Sequence, residues 1–329
     1  MRPIRKIRTV RNVRNIHERS IAAPAATVGA LLDRLAAEDD PLWPAPAWPA
    51  LRLDRPLGPG ATGGHGPIRY TVEEYEPGRR VRFRFEQLGG GYHELSVIPR
   101  GADRCLLRHV LDAATPGMEL ITWPLAIRWM HDAVLEELLD NAQRAAGDVV
   151  TQPARRSPWV RLLHRMLWPR PRAVDPPAAA ELLRGAPGRV DFIDAWRVEL
   201  HPFMPRDPEY WRREFLRPPP AVRALMALRQ GFIGLLGIAR DGSRDGFPVL
   251  ARDEHELLAG TDAEHLNFRV SLLVAEGGMT LTTVTELHNR RGRLYFTVVR
   301  RFHPFVVRAM MRRAHRETAL RSTPAARVG

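Results

Sequence analysis

Hydrophobic and polar positions follow one plan twice along this chain. Residues 93–141 and 265–314 each read as an alternating strand, a Gly-marked turn, a second alternating strand and a long amphipathic helix. In the first copy, strands at about 91–98 and 104–114 lead into a helix at about 123–145. In the second, Phe268, Val270, Leu272 and Val274 share one face of a strand, Gly277-Gly278 make the turn, and the helix spans about 291–316. Pro304 inside that last helix predicts a kink or a break. His131 and His303 hold matching places near the two helix starts. Self-similarity on this scale predicts two copies of one fold. The fold class is α+β: two tandem domains, each an antiparallel sheet closed by a long C-terminal helix.

The remaining pattern completes this plan. Residues 9–22 read as a first strand, and Pro24 opens a helix that puts Val28, Leu31, Leu32 and Leu35 on one face. Strands follow at about 51–57, 67–76 and 79–87, the last two joined by a Pro77-Gly78 turn. In the third of these, Val81, Phe83 and Phe85 point inward while Arg80, Arg82 and Arg84 face solvent. The expected divisions are a first domain over 1–147, a Pro/Arg-rich connector over 148–188 and a second domain over 189–329. A short amphipathic helix in the connector carries Trp159, Leu162, Leu163, Met166 and Trp168 against Arg161 and Arg165. The second domain opens with the strand FIDAWRVEL, then two helices and two short strands.

Composition narrows the function. The chain has 329 residues, 44% of them hydrophobic, enough for a core in each domain. One cysteine, Cys105, excludes an intramolecular disulfide and fits a reducing compartment. No apolar run reaches transmembrane length, and the basic N-terminus (Arg2, Arg5, Lys6, Arg8) has no apolar core behind it, so a cytoplasmic location is expected. The net charge is +13, but Lys6 is the only lysine and the arginines are dispersed rather than gathered in a stripe. That distribution argues against a nucleic-acid partner.

Four segments carry a family resemblance: ERSIAAPAATVGALLD (18–33), GPIRYTVEEYEPGRRVRFRF (66–85), GYHELSV (91–97) and MHDAVLEELLDNA (130–142). Through them the first domain resembles the polyketide cyclase/dehydrase-like, or START-like, superfamily (SRPBCC). Two further segments, 247–272 and 285–313, resemble an uncharacterised bacterial family often found behind short-chain-dehydrogenase-like domains. The resemblances imply two tandem helix-grip folds and a hydrophobic small-molecule ligand, lipid or polyketide-like. They imply no defined reaction, since the superfamily contains cyclases, carriers and receptors.

The strand phases nominate the residues that touch a ligand. Tyr70, His93, Cys105 and His109 share the phases of Ile68, Leu95, Leu107 and Leu111, so they line the first cavity, with Glu74 at its margin and His131 at its mouth. A desolvated histidine exchanges protons near neutral pH, so His93 and His109 also fit a cyclase or dehydratase. Thr283 and Thr285 line the second cavity. No HxxxH or CxxC pair is present, so neither metal nor cofactor is expected. Two glycine patterns, Gly58/Gly60/Gly63 and Gly231/Gly234/Gly237, lack the strand-then-helix context of a nucleotide site. The Trp159–Trp168 segment is placed to touch an anionic membrane peripherally.

Overall fold

The computed structural model describes residues 10–86, 91–186, 188–235 and 247–323. The chain divides into two compact units, Met1–Leu167 with Ser322–Gly329, and Trp168–Arg321. The stretch 148–188 is shared between them, with the boundary falling at Leu167/Trp168. No helix among the described residues is long and apolar enough to cross a membrane.

The first unit holds β1 (Val10–Ile21), α1 (Ala25–Leu32), β2 (Arg52–Leu53), β3 (Thr62–His65), β4 (Ile68–Glu76), β5 (Arg80–Phe85), β6 (Tyr92–Pro99) and β7 (Cys105–Pro116). Then come α2 (Glu119–Thr122), a π-helical turn (Trp123–Ile127), α3 (Arg128–Ala145) and α4 (Pro158–Leu167). The strands form one antiparallel sheet in the order β1-β7-β6-β5-β4-β3-β2. Period-two patterning explains its centre: Val81, Phe83 and Phe85 are buried, while Arg82 on the other face pairs with Glu74 and Glu94. β3 is additional to the expected strands. Its glycines are what allow it to pair, since a Cβ on Gly63 would sit 2.0 Å from the Arg52 carbonyl oxygen.

α3 closes the sheet with two stripes. Leu135, Leu138, Leu139 and Ala142 are buried against it. Each fully buried leucine of this kind is worth about 1.5–3 kcal/mol, so this stripe supplies most of the docking energy. Asp132, Glu136, Asp140 and Gln143 form the second stripe and meet Asn15, His17 and Arg19 of β1. Side chains two apart on a strand repeat every ~6.6 Å, and those four apart on a helix every ~6 Å, so the two rows stay in step.

The second unit contains β8 (Arg172–Ala173), α5 (Glu181–Arg184), β9 (Phe192–Glu199), α6 (Pro208–Phe215), α7 (Pro220–Leu235), β10 (Val249–Arg252), β11 (Glu256–Ala263), β12 (Leu266–Ala275), β13 (Gly278–Leu287) and α8 (Arg290–Ser322). Its antiparallel sheet runs β10-β11-β12-β13-β9-β8. α8 is continuous through Pro304, so the break expected there does not occur. Met311, Val307 and Ala314 of α8 pack with Met279 and Leu281 of β13. β13 is covered on its other face too, because α5 brings Ala180 and Leu183 against Val284 and Leu258. Buried Glu256 fixes α5 by accepting from Leu182 N at 2.8 Å and Leu183 N at 3.2 Å. Gly231 and Gly234 lie in α7, whereas Gly237 lies outside the described residues, as do Arg2, Arg5, Lys6 and Arg8.

Candidate functional site

Strand register gathers the titratable groups of the first unit. His109 on β7 stands beside His17 of β1 on one side and Leu95 of β6 on the other. His93 on β6 stands beside Phe83 of β5, and Tyr70 on β4 beside Phe85. α3 places His131 above them. The result is a file of rings: His17–His131 at 5.9 Å between centroids, His131–His109 at 5.1 Å, His109–His93 at 5.6 Å and His93–Tyr70 at 4.9 Å. His65 and Trp43 extend it beyond Tyr70, and Trp123 flanks His131. His93 stacks on Phe83 at 4.8 Å with its ring only 14° from parallel. Aromatic packing of this kind fixes ring orientation without using the nitrogens.

Several of those polar atoms have no partner. Tyr70 Oη, His93 Nε2, His109 Nδ1 and His131 Nδ1 are buried and make no hydrogen bond. Such atoms each cost about 1–3 kcal/mol, which an ordinary core avoids by using Phe or Leu at the same place. The sequence-nominated residues Tyr70, His93, His109 and His131 are thus brought together. Cys105 lies on the same face of β7 as His109 but four residues along it, ~13 Å away, and burial pushes its thiol up.

Charge is graded along the file. Burial opposes an imidazolium at His17, yet hydrogen bonds to Asp132 and Glu136 overcome it and raise the ring to about 9. Burial alone holds His93 and His109 well below the usual histidine range, with neighbouring imidazoles adding to the effect. It lowers His131 as well, against the pull of Asp132, and takes His65 down to about 4. Burial pushes the Tyr70 hydroxyl far up. At neutral pH a cationic His17 therefore stands at one end and neutral rings continue inward. Beside that cationic end a groove of about 280 Å³ is lined by Asn12, Val13, Arg14, Asn15, Trp123, Pro124 and Arg128.

Sequence reasoning missed His17, His65, Asp132 and Glu136. The signal was present in NIHER (15–19), where Asn15, His17 and Arg19 recur every second residue, and in acids at 132, 136 and 140, four apart on α3.

The second unit has its own buried polar group. Thr283 and Thr285 are both buried, on the β13 face that meets α8. His303 Nε2 lies 3.1 Å from Thr283 Oγ1 and 3.3 Å from Asp194 Oδ1, and Asp194 also accepts from Trp196 Nε1 at 2.9 Å. Thr285 Oγ1 has no partner. Apolar clusters flank this group on both sides, Met279/Leu281/Met311 and Leu287/Tyr295/Phe296.

Residues 186–310 match the family described as a protein of unknown function, DUF2867. No curated protein matches the chain. Among solved structures, norcoclaurine synthase from Thalictrum flavum, in complex with dopamine and hydroxybenzaldehyde, is 15% identical with a TM-score of 0.34, over 46% of this chain and 98% of that one. CalU16 from Micromonospora echinospora is 17% identical with a TM-score of 0.31, over 49% and 94%. The conserved protein of unknown function EF2215 from Enterococcus faecalis is 15% identical with a TM-score of 0.33, over 49% and 88%.

Proposed function

We propose that the first unit binds a small, mostly apolar molecule carrying at least one hydrogen-bonding group. One observation carries this reading: four buried polar atoms, on Tyr70, His93, His109 and His131, lie unpartnered among Phe83, Phe85, Leu107 and Leu111. A pocket that is mainly apolar with a few convergent polar groups is the usual form of a small-molecule site. As rings that burial holds neutral, His93 and His109 are suited to hydrogen-bond a bound carbonyl compound rather than to exchange protons with it near pH 7.

Tyr70→Phe separates this reading from plain packing. With no ligand, removal of an unsatisfied buried hydroxyl is expected to stabilise the unit by about 1 kcal/mol. Affinity for the apolar compound that copurifies with the protein is expected to fall about tenfold, the equivalent of one hydrogen bond. Thermal unfolding and native mass spectrometry with ligand displacement read the two effects. A protein that carries no displaceable apolar compound would refute the reading.

A second reading, peripheral membrane contact, is favoured by the outer surface of the same unit. Ile121, Leu125 and Trp129 are exposed around the start of α3, and Trp159, Leu162 and Met166 are exposed along α4. Trp159 Nε1 donates to the Leu125 carbonyl at 2.8 Å, which joins the two sets. Arg128, Arg161 and Arg165 stand exposed beside them. Vesicles containing anionic lipid are expected to retain the protein in flotation, with binding lost at high salt and reduced at least several-fold in Trp159→Ala. Equal retention on neutral vesicles would exclude the charge-assisted form.

A further inference from the structure

We propose that His17, His131 and Asp132 form a site for a divalent transition-metal ion of the Zn²⁺ or Fe²⁺ type. The proposal shares His131 with the ligand reading above, but rests on its geometry with His17 and Asp132. One ligand atom from each of the three residues lies within 4.8 Å of the other two. For bonds of 2.0–2.1 Å, tetrahedral ligand atoms stand roughly 3.3–3.5 Å apart, so binding requires a contraction of about 1 Å. Rotation about the side-chain torsions supplies that much.

The orientation of His17 is the first reason to read the cluster this way. Glu136 Oε1 holds His17 Nδ1 at 2.8 Å. Nε2 then points at Asp132 Oδ1, 3.1 Å away. A carboxylate behind one ring nitrogen, with the other aimed at a second carboxylate, is how metal-binding histidines are held. A metal ion binds between Nε2 and Asp132 Oδ1 once the two move slightly apart.

The second reason is what these contacts leave undone. Glu136 and Asp132 occupy both nitrogens of His17. They leave His131 Nδ1 buried without a hydrogen bond, in a long 3.8 Å contact with the same Asp132 oxygen. Nor do they serve Asn15, whose amide nitrogen donates to Asp132 at 3.0 Å while its buried Oδ1 has no partner. A cation at the focus of Asp132 Oδ1 engages His131 Nδ1, with Asn15 Oδ1 as an adjacent oxygen donor. Two imidazole nitrogens and a carboxylate select a borderline transition ion over Mg²⁺ or Ca²⁺, which prefer all-oxygen sets. No local spacing signals the site because its ligands come from β1 and α3, more than a hundred residues apart in sequence.

Full-length protein stripped with a chelator and titrated with Zn²⁺ alone in a calorimeter tests the proposal. One ion per chain is expected, with micromolar or tighter affinity. Asp132→Asn, which preserves shape, is expected to abolish binding. Glu136→Gln, which replaces the carboxylate behind His17 and one partner of Arg19, is expected to weaken it about 10- to 100-fold. Long-range ¹H–¹⁵N spectra of the unmutated protein give a readout that needs no variant: Zn²⁺ is expected to shift the ring nitrogens of His17 and His131. No binding, binding undiminished in Asp132→Asn, or shifts confined to other histidines would each overturn the assignment. Binding of the apolar compound is measured separately, so either proposal can fail alone.

Discussion

Asp140→Ala is expected to destabilise the first unit by about 3 kcal/mol, more than any single apolar truncation on the outer surface. Asp140 is almost fully buried at 2% exposure. One oxygen accepts from Arg19 at 2.6 Å and the other from the Ala154 amide at 2.7 Å. Alanine leaves a part-buried guanidinium short of one counter-charge and a backbone N–H without its acceptor. Glu136 and Gln143 still hold Arg19, which keeps the cost at the lower end of the range for a broken buried pair. Asp140→Asn retains the shape and is expected to cost less. The decisive comparison is Arg19→Met with Asp140→Leu: removing both is expected to be milder than removing Asp140 alone, because Arg19 is not left short of a counter-charge and Glu136 keeps His17. Urea unfolding followed by far-UV circular dichroism measures these variants together with Arg19→Met and Asp140→Leu singly. A double variant as unstable as the sum of its parts would show that the pair is not coupled.

This ladder marks where sequence patterning stopped being informative. On β4 to β7 one face is apolar and the other charged, so Val81, Phe83, Leu95 and Leu107 announced their own burial. On β1 the rule inverts. Ile16 is exposed at 46%, while Asn15, His17 and Arg19 face the helix. Hydrophobicity cannot report that choice, because the partner that makes it favourable is an acidic stripe more than a hundred residues later. The same holds for β13. Thr280 and Thr282 look like a solvated face, yet both are buried, at 1% each, on the face that also holds Val284, which α5 covers. Tyr70, His93 and His109 were legible because they share a phase with apolar neighbours on ordinary strands. His17 was not, because its nearest neighbours in phase, Asn15 and Arg19, are polar. Of the two outcomes expected at Pro304, a kink or a break, the break does not occur. A proline inside a helix removes one hydrogen bond, but tertiary packing of Val307, Met311 and Ala314 on the sheet outweighs that loss.

Acid is expected to unfold the first unit steeply, beginning just below pH 6.5. His65, His93 and His109 are held neutral by burial, with folded pKa values below the unfolded value of 6.5. For a depressed histidine the sign is fixed: stability is complete above pH 6.5 and is lost as pH falls, because the unfolded chain takes up protons that the folded one refuses. Each such ring contributes a slope of about 1.4 kcal/mol per pH unit, so three acting together approach about 4 kcal/mol per unit until pH nears the depressed values. His65 reaches its own near about 4. Among the described residues the His93 ring meets Phe83, Phe85, Tyr70 and His109, and none of these neighbours offsets a charge there. His17 behaves oppositely. Its raised pKa gives stability that is complete below 6.5 and lost as pH climbs through about 9. Maximum stability is therefore expected close to neutrality, with the acid limb steeper than the alkaline one. Denaturant unfolding of metal-free protein from pH 4.5 to 9.5 measures both limbs. His93→Phe, which keeps the stack on Phe83, is expected to remove one proton from the acid slope while leaving the alkaline limb unchanged. An acid slope that stays the same in that variant would mean that His93 is already protonated in the folded protein.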